Sequence, residues 1–350
     1  MTKTKIIDID CKNIDANKLK KASLVLRKGG TVVFPTETVY GLGANALCED
    51  AVKKIFKAKG RPSDNPIIVH ISEIEKIKDL VIDFPENAKI LGSNFWPGPL
   101  TMIFKKRKKI PEAITGGLDT VAIRIPSHPI ARALIEMADV PVAAPSANLS
   151  GKPSPTKPQH VIEDMMNRVD VIISGGSCEV GVESTVLDVT TDVPMILRPG
   201  GITKESLEEI VPKIDVDPAI KKEHRHLAPK SPGMKYTHYS PKADVIVFKG
   251  EEKDIINAIE SMRVEKQESG LQVGIMATEQ TKGKYNGSAI ISVGSRQKLE
   301  TVANNLFDTL REFDKKGVDI ILAEGFEENG IGQAIMNRLT KAAGYNVVEV

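Results

Sequence analysis

The stretch Thr31 to Gly43 reads TVVFPTETVYGLG, and it limits the fold more sharply than any other part of the chain. Val32, Val33 and Phe34 predict a short buried strand. Pro35 ends it, because proline cannot donate a ladder hydrogen bond. Thr36, Glu37, Thr38 and Tyr40 then crowd three hydroxyls and a carboxylate together. Gly41 and Gly43 predict either a tight turn or a close approach to the backbone. A strand ending in a polar, glycine-bounded loop is where an α/β protein builds a binding site. The same residues also suit an ordinary polar turn, and the stretch alone does not separate the two.

At 350 residues the chain is too long for one ordinary core, which predicts two domains. Only 4% of residues are aromatic, which argues against many base-stacking platforms. A net charge of +2 lacks the basic excess of a dedicated nucleic-acid binder. Cys11, Cys48 and Cys178 lie far apart, with no CxxC pair, and read as free thiols in a reducing compartment. The opening MTKTKIIDIDCKN has no apolar signal core, and no apolar run reaches the ~20 residues that span a bilayer. The expected location is the cytoplasm.

Along the chain, Asn17 to Arg27 carry apolar residues at helical spacing, and Gly29-Gly30 close that helix. Ala51, Val52, Ile55 and Phe56 stripe a second helix, which stops at Gly60. Lys59 and Arg61 flank that glycine, and a strand ending in His70 follows Asn65-Pro66. Two cations beside a strand-end histidine suit an anion, Arg gripping with a planar fork and Lys as a point charge. Cations at a helix C-terminus are also favoured by the helix dipole alone. Trp96 reads as core. Lys105 to Lys109 (KKRKK) read as an exposed hairpin tip. Arg124 sits inside the alternating strand TVAIRI, where it needs an anion, either a ligand or a structural carboxylate.

A second strand-to-polar-loop transition is VPVAAPSANLSG, where small residues precede Ser146, Asn148 and Ser150. A third is GVESTVLD, with Glu183, Ser184 and Thr185; LRPGGI then ends a strand at Arg198. No Walker loop and no complete GxGxxG accompanies them, so a nucleotide site here is of another kind.

From Val211 to Pro241 the apolar periodicity fades and five prolines appear. This reads as a long linker. His224-x-His226 lacks a carboxylate-rich companion pattern, and no residue is assigned to a metal. Lys235, Tyr236, His238 and Tyr239 between turn residues predict a lid. From Asp244 strands and helices alternate, which predicts a doubly wound domain with a parallel sheet. The divisions are 1–211, 212–243 and 244–350.

TETVYGLG, KGRPSDNPIIVHI, WPGPLT, VAIRIPSHP, APSANLSG, GVESTVLD and LRPGGI occur in this order over Thr31–Ile202. Together they resemble the YrdC-like family of L-threonylcarbamoyl-AMP synthases, and the linker and second domain resemble its long, two-domain form. The resemblance implies an α/β fold: a YrdC-like twisted mixed-sheet catalytic domain plus a small Rossmann-like doubly wound C-terminal domain. It implies condensation of L-threonine, bicarbonate and ATP into threonylcarbamoyl-adenylate, with release of pyrophosphate and water. A separate transferase complex would move the threonylcarbamoyl group to adenosine 37 of tRNAs reading ANN codons.

The resemblance also implies residue roles. The Lys-x-Arg and Ser-x-Asn signatures fall on Lys59, Arg61, Ser146 and Asn148. The threonine pocket would use Thr36, Thr38, His70, Arg124, the backbone near Ala144, and Ser184. The ATP side would use Arg61, Asn65, Thr120, Ser146, Ser154 and Arg198, with Tyr239 closing over it. Thr36 and Lys59 would sit beside the reacting carboxylates, and Mg²⁺ would travel with ATP. Two other readings compete. One is an RNA-binding module using the KKRKK tip. The other is the related module of hydrogenase maturation proteins, whose zinc-finger CxxC signal this chain lacks.

Overall fold

The computed structural model describes residues 2–63, 65–220, 239–287 and 289–350. These divide into two compact units, one of residues 2–150 and 154–220, the other of 151–153 and 239–350. The middle of the expected linker and lid, with His224, His226, Lys235, Tyr236 and His238, lies outside the described residues. Among the described residues, no helix is long and apolar enough to cross a membrane.

The first unit is built on one mixed sheet. Its strands are β1 (Lys5–Asp8), β2 (Val32–Phe34), β3 (Gly41–Asn45), β4 (Val69–His70), β5 (Leu100–Lys105), β6 (Thr120–Arg124), β7 (Val142–Ala143), β8 (Val171–Ser174), β9 (Thr185–Asp188), β10 (Met195–Arg198) and β11 (Asp215–Val216). In space they run β1-β8-β2-β3-β7-β4-β6-β5-β9-β10-β11. Strand β2 is parallel to β8 but antiparallel to β3, and β6 is parallel to β4 but antiparallel to β5. Apolar residues cover both faces. Helix Pro129–Ala138 packs Ile130, Leu134 and Ile135 against Phe34, Val142 and Ala144, while helix Glu49–Lys59 lays Val52 and Ile55 against Leu42 and Val69 on the other face.

One open choice is decided and one expectation changes. Gly41 and Gly43 mark a close approach and not a turn; they lie inside β3, opposite β2. A Cβ on Gly43 would stand 2.7 Å from the Phe34 ring and 2.8 Å from Val142, so glycine admits close packing there. The expected linker at 212–243 also begins too early, because Asp215–Val216 form β11, parallel to β10. Ile214 is 2% exposed and anchors that turn of chain in the core. A two-residue strand between prolines is too short to show periodicity.

The second unit holds β12 (Asp244–Lys249), β13 (Val273–Ala277), β14 (Ala289–Ser292), β15 (Ile320–Glu324) and β16 (Val347–Glu349). All are parallel, in the order β14-β13-β15-β12-β16. Ile255 and Ile259 of helix Glu252–Glu268 pack on the face bearing Phe248, Ile275 and Leu322. Gly274 faces the other way, toward Phe313 of helix Leu299–Lys316. Helices on both faces make the unit doubly wound, as expected. Its strand order differs from the nucleotide-binding arrangement, since β15 lies between β12 and β13. Tyr239 belongs to this unit, where its ring stacks on Phe307 at 5.1 Å and Arg338 lies 5.6 Å from the ring centroid.

Candidate active site

Three loops that look unrelated in sequence meet in the first unit. The chain after Pro35 is pinned on one side by Val180 N–H donating to Glu37 O (2.8 Å) and Gly181 N–H to Thr38 O (3.2 Å). On the other, Tyr40 N–H donates to Pro155 O and Ala147 N–H to Tyr40 O, both at 2.8 Å. The turn itself is held by Thr36, whose Oγ1 donates to Val39 O (2.6 Å) and accepts from Val39 N–H. A hydroxyl two or three residues before the N–H it binds is a standard stop for an extended strand.

This turn presents Thr38 to Arg124. Arg124 Nη1 donates to Thr38 Oγ1 (2.9 Å), Nε to Gly98 O (3.3 Å), and Nη2 pairs with Glu37 Oε1 (2.8 Å). The pair is almost fully buried, its side chains 4% and 6% exposed. Burial works to raise the Glu37 carboxyl, but the Arg124 charge and hydrogen bond, with the backbone N–H groups of Glu37 and Ser127, together outweigh it and hold it below the usual range. His70 is the register partner of Arg124 across β4 and β6. Burial and the Arg124 charge push its pKa down to about 3, so it is neutral, and its Nδ1 is buried without a partner. Ala144 lies behind Gly41, whose Cβ position is 3.4 Å from the Ala144 methyl.

A second group joins Ser184 to Arg198. Arg198 Nε and Nη2 both donate to Ser184 O, at 3.2 and 3.0 Å, and Ser184 Oγ shares a hydrogen bond with Thr101 Oγ1 (2.8 Å). Gly200 permits this, because a Cβ there would fall 2.3 Å from the Ser184 carbonyl carbon.

A third group surrounds Lys59, at the end of helix Glu49–Lys59. Its Nζ donates to Ser146 O (2.5 Å), Asn148 O (2.7 Å) and Asn148 Oδ1 (3.3 Å), the acceptor set of an ammonium. Burial pushes its pKa well below the ordinary lysine range and Arg61 adds to this, while Asp164 and Glu183 act against it. Ser146 Oγ donates to Asn148 Oδ1 (2.6 Å), and Ser154 Oγ to Glu183 Oε1 (2.5 Å). Arg61 Nη2 donates to Asn65 O (3.3 Å). The Asn65 side chain is wholly buried, yet neither its Oδ1 nor its Nδ2 has a partner. A buried amide with both ends unmatched calls for polar partners.

Thr120 opens β6, four residues before Arg124 and on the same face of the strand. Ile68, Ile103, Ala122, Val186 and Leu197 form an apolar patch, and Ala122 lies between Thr120 and Arg124. Of the expected site residues, Thr36, Thr38, His70 and Arg124 form one group, Ser184 and Arg198 a second, and Lys59, Ser146 and Asn148 a third. Tyr239 lies in the second unit.

Comparison with known proteins gives one answer. A family model described as "Telomere recombination" matches residues 24–200, and one described as "Threonylcarbamoyl-AMP synthase, C-terminal domain" matches 202–344. A threonylcarbamoyl-AMP synthase of Bacillus subtilis is 51% identical over 95% of this chain and 94% of the relative. One from Pyrococcus abyssi is 49% identical over 96% and 97%. The chain belongs to the threonylcarbamoyl-AMP synthase family. Within that family, the crystal structure of P. abyssi Sua5 complexed with L-threonine superposes with a TM-score of 0.94 at 48% identity, covering 99% of each chain.

Three buried residues of this family member were not assigned roles from sequence: Glu37, Thr101 and Glu183. Glu37 and Glu183 stand inside quoted motifs, and a lone carboxylate next to an apolar strand is itself a signal. Thr101 carries none, since a threonine in a strand is ordinary. The unmatched amide gives a direct prediction. Asn65→Ala is expected to weaken ATP binding by roughly tenfold, the worth of one or two ligand hydrogen bonds. L-threonine binding should be unchanged. Calorimetric titration with each ligand checks both halves.

Proposed function

We propose that this chain is an L-threonylcarbamoyladenylate synthase, condensing L-threonine, bicarbonate and ATP and releasing pyrophosphate and water. The observation that carries the reading is Arg124. A guanidinium has five N–H donors. Two donate, to Gly98 O and Thr38 Oγ1, while Nη2 stands 2.8 Å from Glu37 as an ion pair without a well-aligned hydrogen bond. At least one N–H is left on each terminal nitrogen for a substrate carboxylate to span. Neutral His70 and the small Ala144 leave room for an amino acid beside that fork, and Thr36 and Ser184 offer hydroxyls.

The ATP side follows from the other groups. Arg61 and Arg198 bring fixed positive charge, Asn65 an unmatched amide, and Ser146, Ser154 and Thr120 further hydroxyls. Mg²⁺ enters as part of the ATP substrate, on its phosphates. The chemistry needs little else. The threonine amine and bicarbonate give a carbamate; a carbamate oxygen attacks the α-phosphorus, and the bond to pyrophosphate breaks. Every reactant carries negative charge, so fixed cations that gather them and meet the developing charge supply the catalysis. No protein nucleophile is required. The product would pass to a transferase that modifies adenosine 37 of tRNAs reading ANN codons. Three free cysteines fit work in the reducing cytoplasm.

Pyrophosphate release with Mg-ATP and bicarbonate, with and without L-threonine and in the absence of RNA, tests the reading. Release that depends on both threonine and bicarbonate is the expected result. Release without threonine means a different adenylated substrate. No release until tRNA is added means that the chain acts on RNA directly.

A further inference from the structure

Glu37 lies at the centre of the motif that opens the site, yet the reaction as written gives it no part. It is 5% exposed, and its carboxylate stands 2.8 Å from Arg124. Only one of its oxygens is used that way. Oε1 makes that contact through charge rather than through a well-aligned hydrogen bond, and Oε2 is likewise buried without a well-aligned donor, the backbone N–H groups of Glu37 and Ser127 being the other groups that act on the carboxylate. A buried ion pair is an expensive way to hold a fold together, since apolar residues of the same size usually do as well. Its place beside Arg124 in the opening motif calls for another reason.

The pair has two consequences. First, it fixes the plane of the guanidinium. With Nε tied to Gly98 O, Nη1 to Thr38 Oγ1 and Nη2 to Glu37, the ring of donors cannot rotate. The N–H groups left over are therefore held in fixed directions. Second, it sets the charge the ligand meets. A lone buried guanidinium attracts any anion. A guanidinium beside a carboxylate is nearly neutral in sum, and it matches a ligand that carries the same two charges reversed. His70 adds no charge, being held neutral by burial and by Arg124.

We infer that Glu37 is a positioning and specificity-determining residue, orienting Arg124 and making the pocket select a zwitterion over an anion of the same shape. The ligand carboxylate takes the N–H groups Arg124 has left over, and its ammonium meets the Glu37 carboxylate. The inference rests on the proposal that this pocket holds L-threonine.

The test compares two ligands by calorimetry on the full chain. One is L-threonine. The other is 2,3-dihydroxybutanoate of matching configuration, in which a hydroxyl replaces the ammonium and leaves a plain anion. The unaltered protein is expected to prefer threonine by roughly 100-fold, the scale of a buried charge contact. Glu37→Gln keeps the shape and an acceptor for Nη2 but removes the charge. It should weaken threonine about tenfold or more and shrink the preference to within about threefold. ATP affinity should not move. Glu37→Asp keeps the charge on a shorter arm; both ligands should weaken while the preference survives.

A preference undiminished in Glu37→Gln overturns the inference, as does one lost in Glu37→Asp or absent from the unaltered protein. If Glu37→Gln does not fold, the Glu37→Asp comparison decides alone. Failure of the unaltered protein to bind L-threonine at all overturns the proposed function, and this inference with it.

Discussion

Arg124→Ala is expected to reduce affinity for L-threonine by about 10²–10³-fold, the cost of truncating one side of a buried, hydrogen-bonded charge contact. The same change should destabilise the first unit by roughly 3–5 kcal/mol, because Glu37 is left as a buried charge without a partner. Both effects come from one group, and pH separates them. In the native protein Arg124 holds the Glu37 carboxyl below its ordinary 4.5. A depressed carboxyl stabilises the fold above its unfolded pKa, and that contribution fades as pH falls through the lowered value. The native protein should therefore lose this stability only in acid, below about pH 4.5.

Without Arg124, burial, the largest single cause, is opposed only by the Glu37 and Ser127 backbone N–H groups, and the Glu37 pKa is expected to rise past its ordinary value. The sign of the dependence reverses. The variant should then lose stability as pH rises from about 4.5 toward neutrality. Thermal melts of both proteins between pH 4 and 8 check this. Parallel curves would mean that the two side chains are not coupled. Arg124→Lys should restore much of the stability and little of the threonine affinity, since an ammonium pairs with Glu37 but cannot offer the fork.

Much of the site was legible as pieces. Each of the three polar loops follows a short apolar run, and proline or glycine marks where it begins. Their meeting was not legible. It depends on backbone hydrogen bonds such as Val180 N–H to Glu37 O and Tyr40 N–H to Pro155 O, and such bonds leave no trace in residue type. Glu37 and Arg124 show the limit well. Each is an isolated charge beside apolar residues, which asks for a partner, but nothing local says which one. Gly41 and Gly43 left two readings open for a related reason. A glycine is equally at home in a turn and where two side chains crowd a strand, and only Phe34 and Val142 decide between them. The doubly wound unit was easier, because alternating strands and helices leave a pattern. The order of its strands depends on contacts between distant segments, so the position of β15 was not readable.

Lys59 carries the other large effect. Lys59→Met is expected to lower product formation by about 10³-fold or more, even though the side chain has no free donor in this state. All three of its N–H groups have acceptors among Ser146 O, Asn148 O and Asn148 Oδ1. Methionine fills much the same space but takes the Lys59 donor from the Ser146 and Asn148 carbonyl oxygens, at about 1–3 kcal/mol each, while Asn148 Oδ1 keeps the Ser146 hydroxyl. The chain between Ser146 and Asn148 would have to move to find other donors. That displaces the Ser146 hydroxyl, and a shift of about 1 Å at a reacting centre already costs about 10²-fold. Loss of the cation beside Arg61 adds to this. Lys59→Arg should not rescue activity, because a planar fork cannot meet three acceptors arranged around a point. Ser146→Ala removes only the Ser146–Asn148 hydrogen bond and one hydroxyl, so a milder, roughly tenfold loss is expected. Steady-state pyrophosphate release ranks the three variants. Turnover of Lys59→Met within tenfold of the unaltered enzyme would show that neither the anchoring nor the charge of Lys59 matters to the reaction.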